Sequence, residues 1–376
     1  MGIARRTWDW LRGLRQTEAH QPSFARVPLT HVIILDGTNS SLDVGHETHA
    51  GLTYKMLSRL PASAHLSLYY EAGVQWTTWR NTHHVAFGRG INSQIKRAYG
   101  YLASRYHPGD RIIFLGYSRG AFAVRSLAGV IDRVGLLQGR HATERNVEQA
   151  YRLYRKGART GAAAVFNDAY CHPTVDIQMV GVWDTVKALG VRLPVLWKLT
   201  EEQHAFHDHS LSDNVRHGYH ALALDETREA FEPVLWQSRA DWHGRLEQVW
   251  FPGTHGDVGG HIDGDEDARP LANLSLVWML ARVEKNGVPL PDGWRAHFPC
   301  DPMAPSVGLN RGWGRLFLLR HARVVGADPS ETLHPSVYHR RVTSGIEVPD
   351  LPIPPLQSIQ HMKSGLLRPV QDHAGR

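Results

Sequence analysis

The chain has 376 residues, 42% of them hydrophobic and 21% charged, the profile of an ordinary globular protein with room for one large α/β domain or two smaller ones. No apolar run approaches the roughly 18 residues that a membrane-crossing helix needs, and two cysteines, Cys171 and Cys300, make no disulfide framework; free thiols in a reduced compartment are expected. The net charge of +6 is scattered rather than gathered into a stripe, which argues against nucleic-acid binding and leaves a mild positive field suited to anionic lipid head groups.

In chain order, the N-terminal MGIARRTWDWLRGLR is basic but lacks the apolar core of a secretory signal. Residues 1–28 are expected to form a helical segment that packs on the domain through Trp8, Trp10, Leu11 and Leu14, with peripheral contact to a membrane surface as the alternative. HVIILDGTNS (31–40) reads as a buried strand ending in an Asp-Gly-Thr turn, and HLSLYYEAGV (65–74) alternates like a second strand. Helical spacing over 91–106 leads through the turn Pro108-Gly109-Asp110 to a short buried strand at 111–115. After Gly116-Tyr117-Ser118-Arg119-Gly120 an apolar-periodic helix runs over 121–131. DIQMVGVWDTV (176–186) is another buried strand, with Asp184 just past its apolar run. Residues 189–242, rich in Trp, His and Leu, read as an insertion placed to cap a site. LEQVWFPGTHGDVGG (246–260) is a strand entering a glycine-rich loop, and 271–283 predicts an apolar helix.

Strands alternating with helices predict an α/β fold with a mostly parallel central sheet, helices on both faces and a cap-like insertion. The catalytic unit is expected over 29–290. Beyond it periodicity fades, so residues 291–376 are expected to wrap the domain as an irregular extension, loosely ordered from about 352.

The chemistry-bearing pattern is G-Y-S-R-G. A nucleophile elbow needs a buried strand, a tight turn relieved by small residues and a helix that starts at once, and Ser118 has all three in its surroundings. In open α/β sheets functional groups gather outside the carboxyl ends of strands. Asp184 follows one such strand and His255 follows another through Pro-Gly-Thr. Serine is a weak nucleophile until an imidazole accepts its proton, and a carboxylate fixes that imidazole's tautomer and stabilises its charged form. The order Ser118, Asp184, His255 is that of α/β-hydrolases. For the oxyanion, the backbone N–H of Arg119 is one expected donor, and Gly37 and Thr38 supply the second from an early strand-to-helix loop. Asp36, Tyr117 and Asp257 are further site-lining candidates. Asp36 also reads as the residue holding its own turn, and Asp184 as a helix cap. Asp257 is a rival acid; His217, His220 and His334 are rival bases. HAFHDH (204–209) has metal-like spacing but no CxxC or HExxH frame, so a packed or solvated stretch is expected.

Five stretches in order, LDGTNS, GYSRGAF, VGVWDTVKALG, YHALALDETREAFEPVLW and VWFPGTHGDVGG, resemble the α/β-hydrolase-like catalytic domain of type VI secretion phospholipase effectors, over about Val32 to Val283. The resemblance implies a triad of Ser118, Asp184 and His255 and hydrolysis of glycerophospholipid or related lipid esters with no metal or other cofactor. It also implies cytoplasmic residence in the producing cell, export by a type VI apparatus without a signal peptide, and a secretion-apparatus component or an immunity protein as partner. Two departures stand out: the family's DGTW is Asp-Gly-Thr-Asn here, and Val258-Gly-Gly is followed by His261 instead of a third glycine and an aromatic. The competing readings are a non-catalytic binding module on a hydrolase fold, an esterase for small soluble esters, and metal-assisted hydrolysis through Asp36, Asp257 and nearby histidines.

Overall fold

The β-branched and aromatic runs become strands because both of their faces can be buried at once. The computed structural model describes residues 26–73, 89–157, 161–186, 210–309 and 319–353. Its strands are β1 (Thr30–Leu35), β2 (Leu66–Glu71), β3 (Arg111–Tyr117), β4 (Met179–Trp183), β5 (His217–Ala223), β6 (Arg245–Phe251) and β7 (Glu331–Leu333). They align in the order β2-β1-β3-β4-β5-β6-β7, and each neighbouring pair is parallel. This is the α/β, mostly parallel architecture that the sequence predicts.

Side-chain alternation divides the core into two layers. Ile33, Leu35, Ile112 and Phe114 face one cluster, filled by α2 (Arg89–Ala103), α3 (Arg119–Arg133), α4 (Glu144–Arg155) and α5 (Gly161–Tyr170). Val32, Ile34, Ile113 and Leu115 face the other, filled by α1 (His49–Leu57) and α7 (Arg269–Lys285). Helices α4 and α5 lie between the stretches that carry motifs; Thr143 caps α4 by accepting from Asn146 N at 3.3 Å. Helix α7 buries residues around most of its circumference, from Leu271 to Val283, which fits its continuous apolar sequence.

Two expectations change. The proposed insertion at 189–242 contains a core strand: β5 pairs with both β4 and β6. Its sequence HGYHALA hides that role because two histidines interrupt the apolar run, although His220 is fully buried. The C-terminal extension at 291–376 does more than wrap. It adds β7 to the sheet edge and α8 (Pro335–Thr343), whose Val337 packs with Leu333, Trp250 and Leu222. A three-residue strand is too short for alternation to reveal. Residues 1–25, where an N-terminal helix is expected, the insertion residues 189–209 with the His204–His209 stretch, and the tail from 354 lie outside the described residues. Cys171 is buried, Cys300 is exposed, and both are free thiols.

Candidate active site

The sheet register places the candidate residues on one edge. Leu35 pairs with Gly116, Tyr117 with Trp183 and Ala223 with Phe251. Asp36, Ser118 and Asp184 each follow the last residue of a strand, and His255 opens the short helix α6 (His255–Gly259) after β6.

Ser118 sits between β3 and α3 with φ 56° and ψ −119°, a strained conformation for a residue with a side chain. The turn is held from both sides. Ser118 N donates to Trp183 O at 3.0 Å, and Phe122 N donates to Ser118 O at 3.3 Å. The flanking glycines answer close approach. A Cβ on Gly116 would lie 2.7 Å from Ala121 Cα, and one on Gly120 would lie 2.1 Å from Leu35 O. Small residues at both positions are what let the strand turn into the helix this sharply.

Three side chains form one hydrogen-bonded chain. His255 Nε2 lies 2.9 Å from Ser118 Oγ and His255 Nδ1 lies 2.6 Å from Asp184 Oδ2. Asp184 is held well below the usual carboxylate range, chiefly by the Arg323 guanidinium and the hydrogen bond from His255 acting against its burial. The carboxylate is therefore an acceptor only, so Nδ1 carries the proton and Nε2 is free to accept from Ser118. Asp184 itself has a φ of 41°, and Ala223 N donates to its Oδ1 at 3.0 Å. The imidazole is clamped between rings: Tyr117 stacks on it at 4.9 Å and Phe231 lies 4.7 Å away, tilted by 44°. Tyr117 Oη also donates to His255 O at 3.3 Å. Ser118, Asp184 and His255 are all buried.

Of the expected oxyanion donors, Arg119 N is the first residue of α3, where an N–H has no acceptor within the helix. Gly37 N is committed elsewhere: it donates to Asp36 Oδ1 at 2.7 Å. Thr38 is the other expected donor on this turn. Gly37 still adjoins the serine, since a Cβ on it would lie 3.3 Å from Ser118 Cβ. Asp36 holds the turn, as one reading of the sequence has it. Its Oδ2 accepts from Thr48 Oγ1 at 2.7 Å and Tyr70 Oη at 2.8 Å, and burial pushes its carboxyl up to about 6. Asp257 caps α6, accepting from Thr254 N and Oγ1 and from Ser306 and Val307 N.

The rival histidines are elsewhere. His220 Nε2 accepts from Thr185 N at 3.1 Å, His334 caps α8 and stacks on Phe251, and His217 lies at the start of β5. Among the described residues no cluster of three or more His, Cys, Asp or Glu side chains is arranged to hold a metal. The Arg119 side chain, one residue past Ser118, is partly buried. It has no hydrogen-bond or ion-pair partner among the described residues, and burial draws its guanidinium down to about 10. Three neighbours of Ser118, His255 and Asp184 carry no mark in the sequence reading. Phe231 and Glu226, which accepts from His255 N at 3.2 Å, lie in a motif that was visible but had no assigned role. Arg323 lies in the irregular tail, where no pattern marks it.

Comparison with known proteins gives a family match. Residues 30–282 match the family described as the type VI secretion phospholipase effector Tle1-like catalytic domain. The chain is 31% identical over 159 residues to YEL023C, an uncharacterised protein of Saccharomyces cerevisiae, across 39% of this chain and 22% of that one. Similar solved structures include an uncharacterised protein from Pseudomonas aeruginosa (TM-score 0.40, 14% identity, 79% of this chain and 52% of that one). Another is a Tle1 effector bound to the VgrG spike of the type 6 secretion system (TM-score 0.27, 17% identity, 62% and 51%). The match takes in about half of each solved chain and under a quarter of the yeast protein.

Proposed function

The chain belongs to the Tle1-like family of type VI secretion phospholipase effector catalytic domains, and on that premise we propose that it is a serine-dependent phospholipase of the A type. The observation that carries the reading is the continuous chain from Ser118 Oγ through the His255 imidazole to the Asp184 carboxylate. In this reading Ser118 Oγ attacks the ester carbonyl of a glycerophospholipid while Nε2 takes its proton. The N–H groups of Arg119 and Thr38 hold the oxyanion. The tetrahedral intermediate collapses, Nε2 returns the proton to the departing lysophospholipid oxygen, and the acyl group stays on Ser118. Water, deprotonated by the same nitrogen, then releases the fatty acid and regenerates the serine. The Arg119 cation, one residue past the nucleophile and without a partner among the described residues, suits a substrate whose head group carries phosphate. Delivery by a type VI apparatus, with one of its components as partner and an immunity protein to neutralise the activity, belongs to the same proposal.

The test is fatty-acid release from mixed phospholipid vesicles in the presence of a chelator. Wild type is expected to release fatty acid, and Ser118→Ala to fold normally while losing at least roughly a thousandfold in turnover. A Ser118→Ala variant that kept most of the activity would refute the mechanism. Release of acid from short soluble esters alone would replace the lipid by a small substrate.

A further inference from the structure

We propose that Arg323, from the segment that follows the family-matched residues, is a positioning residue for the triad: it fixes Asp184 and sets how much of that carboxylate's charge reaches His255. The inference rests on the reading of Ser118, His255 and Asp184 as catalytic.

The geometry is specific. Arg323 Nη1 donates to Asp184 Oδ1 at 2.6 Å and Nη2 donates to Oδ2 at 2.9 Å, a fork-on-fork pair. The same two nitrogens donate to Ala223 O at 2.7 Å and Phe231 O at 2.6 Å. Phe231 is the ring that lies against His255, so one guanidinium ties together the carboxylate, the end of β5 and an imidazole clamp. Its side chain is 3% exposed, and its buried Nε has no acceptor among the described residues. Among the described residues, the hydrogen bonds of the guanidinium all come from its two Nη groups, two to Asp184 and one each to Ala223 O and Phe231 O. Asp184 needs such holding, because its backbone is at a positive φ. The segment is itself anchored, since β7 follows eight residues later and pairs with β6. Residue 323 lies beyond residues 30–282, so the site is completed from outside the matched region.

The guanidinium has two opposed effects. It orders Asp184, which favours turnover. It also offsets part of the carboxylate's charge, which disfavours the imidazolium that forms as Ser118 loses its proton. Other groups facing the pair are Tyr117 stacked on the imidazole, Glu226 with its partner Arg228, His220 beside Asp184 and His261 beyond α6. Glu226, paired with Arg228, accepts from the backbone N of His255, whereas Asp184 bonds the ring itself at Nδ1, so the Arg323 charge reaches the imidazole through the carboxylate it touches.

The experiment is the rate of Ser118 labelling by a fluorophosphonate across pH, with thermal melting to check the fold. The set is wild type, Arg323→Lys, Arg323→Met, Asp184→Asn and the double variant Asp184→Asn/Arg323→Met, which removes both charges together. Arg323→Met is expected to label roughly ten- to a hundredfold more slowly and to move the acid limb of the pH profile to higher pH. Arg323→Lys is expected between it and wild type, and Arg323→Met is expected to add little in the Asp184→Asn background. A purely structural role would slow labelling without moving the limb. An unmoved limb in folded Arg323→Met or, should that variant not fold, in Arg323→Lys would overturn the proposal. So would an undiminished effect of Arg323→Met in the Asp184→Asn background. A wild type that does not label at all refutes the serine reading and this role with it, which separates the two failures.

Discussion

Gly37→Ala places the smallest side chain at the point where the β1 turn meets the serine. The new Cβ would lie 2.8 Å from Tyr117 Cδ1, 3.0 Å from Tyr117 Cε1 and 3.3 Å from Ser118 Cβ. Carbon atoms pack best at about 3.5–4.0 Å, so the ring or the turn must give by roughly 0.7 Å or more. The ring has nowhere to go. It stacks on His255, its hydroxyl donates to His255 O, and Gly259 presses on it so closely that a Cβ there would lie 1.9 Å from Tyr117 Cε2. Displacement therefore passes into Ser118 and His255. Overpacking of this kind costs about 1–3 kcal/mol, a fall in Tm of roughly 2–6 °C, and a misplaced nucleophile of this order loses up to about a hundredfold in rate. Melting temperature and fluorophosphonate labelling measure the two effects separately. Gly161→Ala is the control, because a Cβ there meets nothing within 4 Å. A Gly37→Ala protein with wild-type melting and labelling would refute the claim that Tyr117 transmits contact from this turn to the imidazole.

Two further outcomes follow from the same contacts. Asp36 binds its proton more tightly in the folded chain, at about 6 against an ordinary 3.8, so its contribution to stability falls as pH rises from about 4 to about 6. The loss is on the order of 3 kcal/mol. Asp36→Asn cannot titrate, so its melting temperature relative to wild type should climb across that window when followed by calorimetry, and a constant difference would refute the assignment. Arg119→Met keeps the backbone N–H and removes the cation; KM should rise for phospholipid and stay near wild type for a neutral short ester, and equal changes in both would show that the guanidinium does not meet the head group.

The sequence by itself determined the sheet and its alternation, because runs such as Val32–Leu35 and Ile112–Leu115 are apolar on both faces and fit only a strand covered on both sides. It also pointed to Ser118, Asp184 and His255, which the fold joins in one hydrogen-bonded chain, because elbow chemistry and strand-end carboxylates leave local signatures. The rivals His217, His220 and His334 are set aside by the fold, since among the described residues His255 is the imidazole that reaches Ser118. Strand β5 was hidden because histidines satisfied by partners, such as His220 with Thr185 N, read as polar in a one-dimensional pattern. That Gly37 N, one of the expected donors, bonds Asp36 was not legible either, because whether an N–H is engaged depends on where a neighbouring carboxylate points. Arg323 was out of reach altogether. It meets Asp184 from 139 residues away, and a buried ion pair between distant segments carries no periodicity, since its partners are chosen by packing in three dimensions and by nothing local to either one.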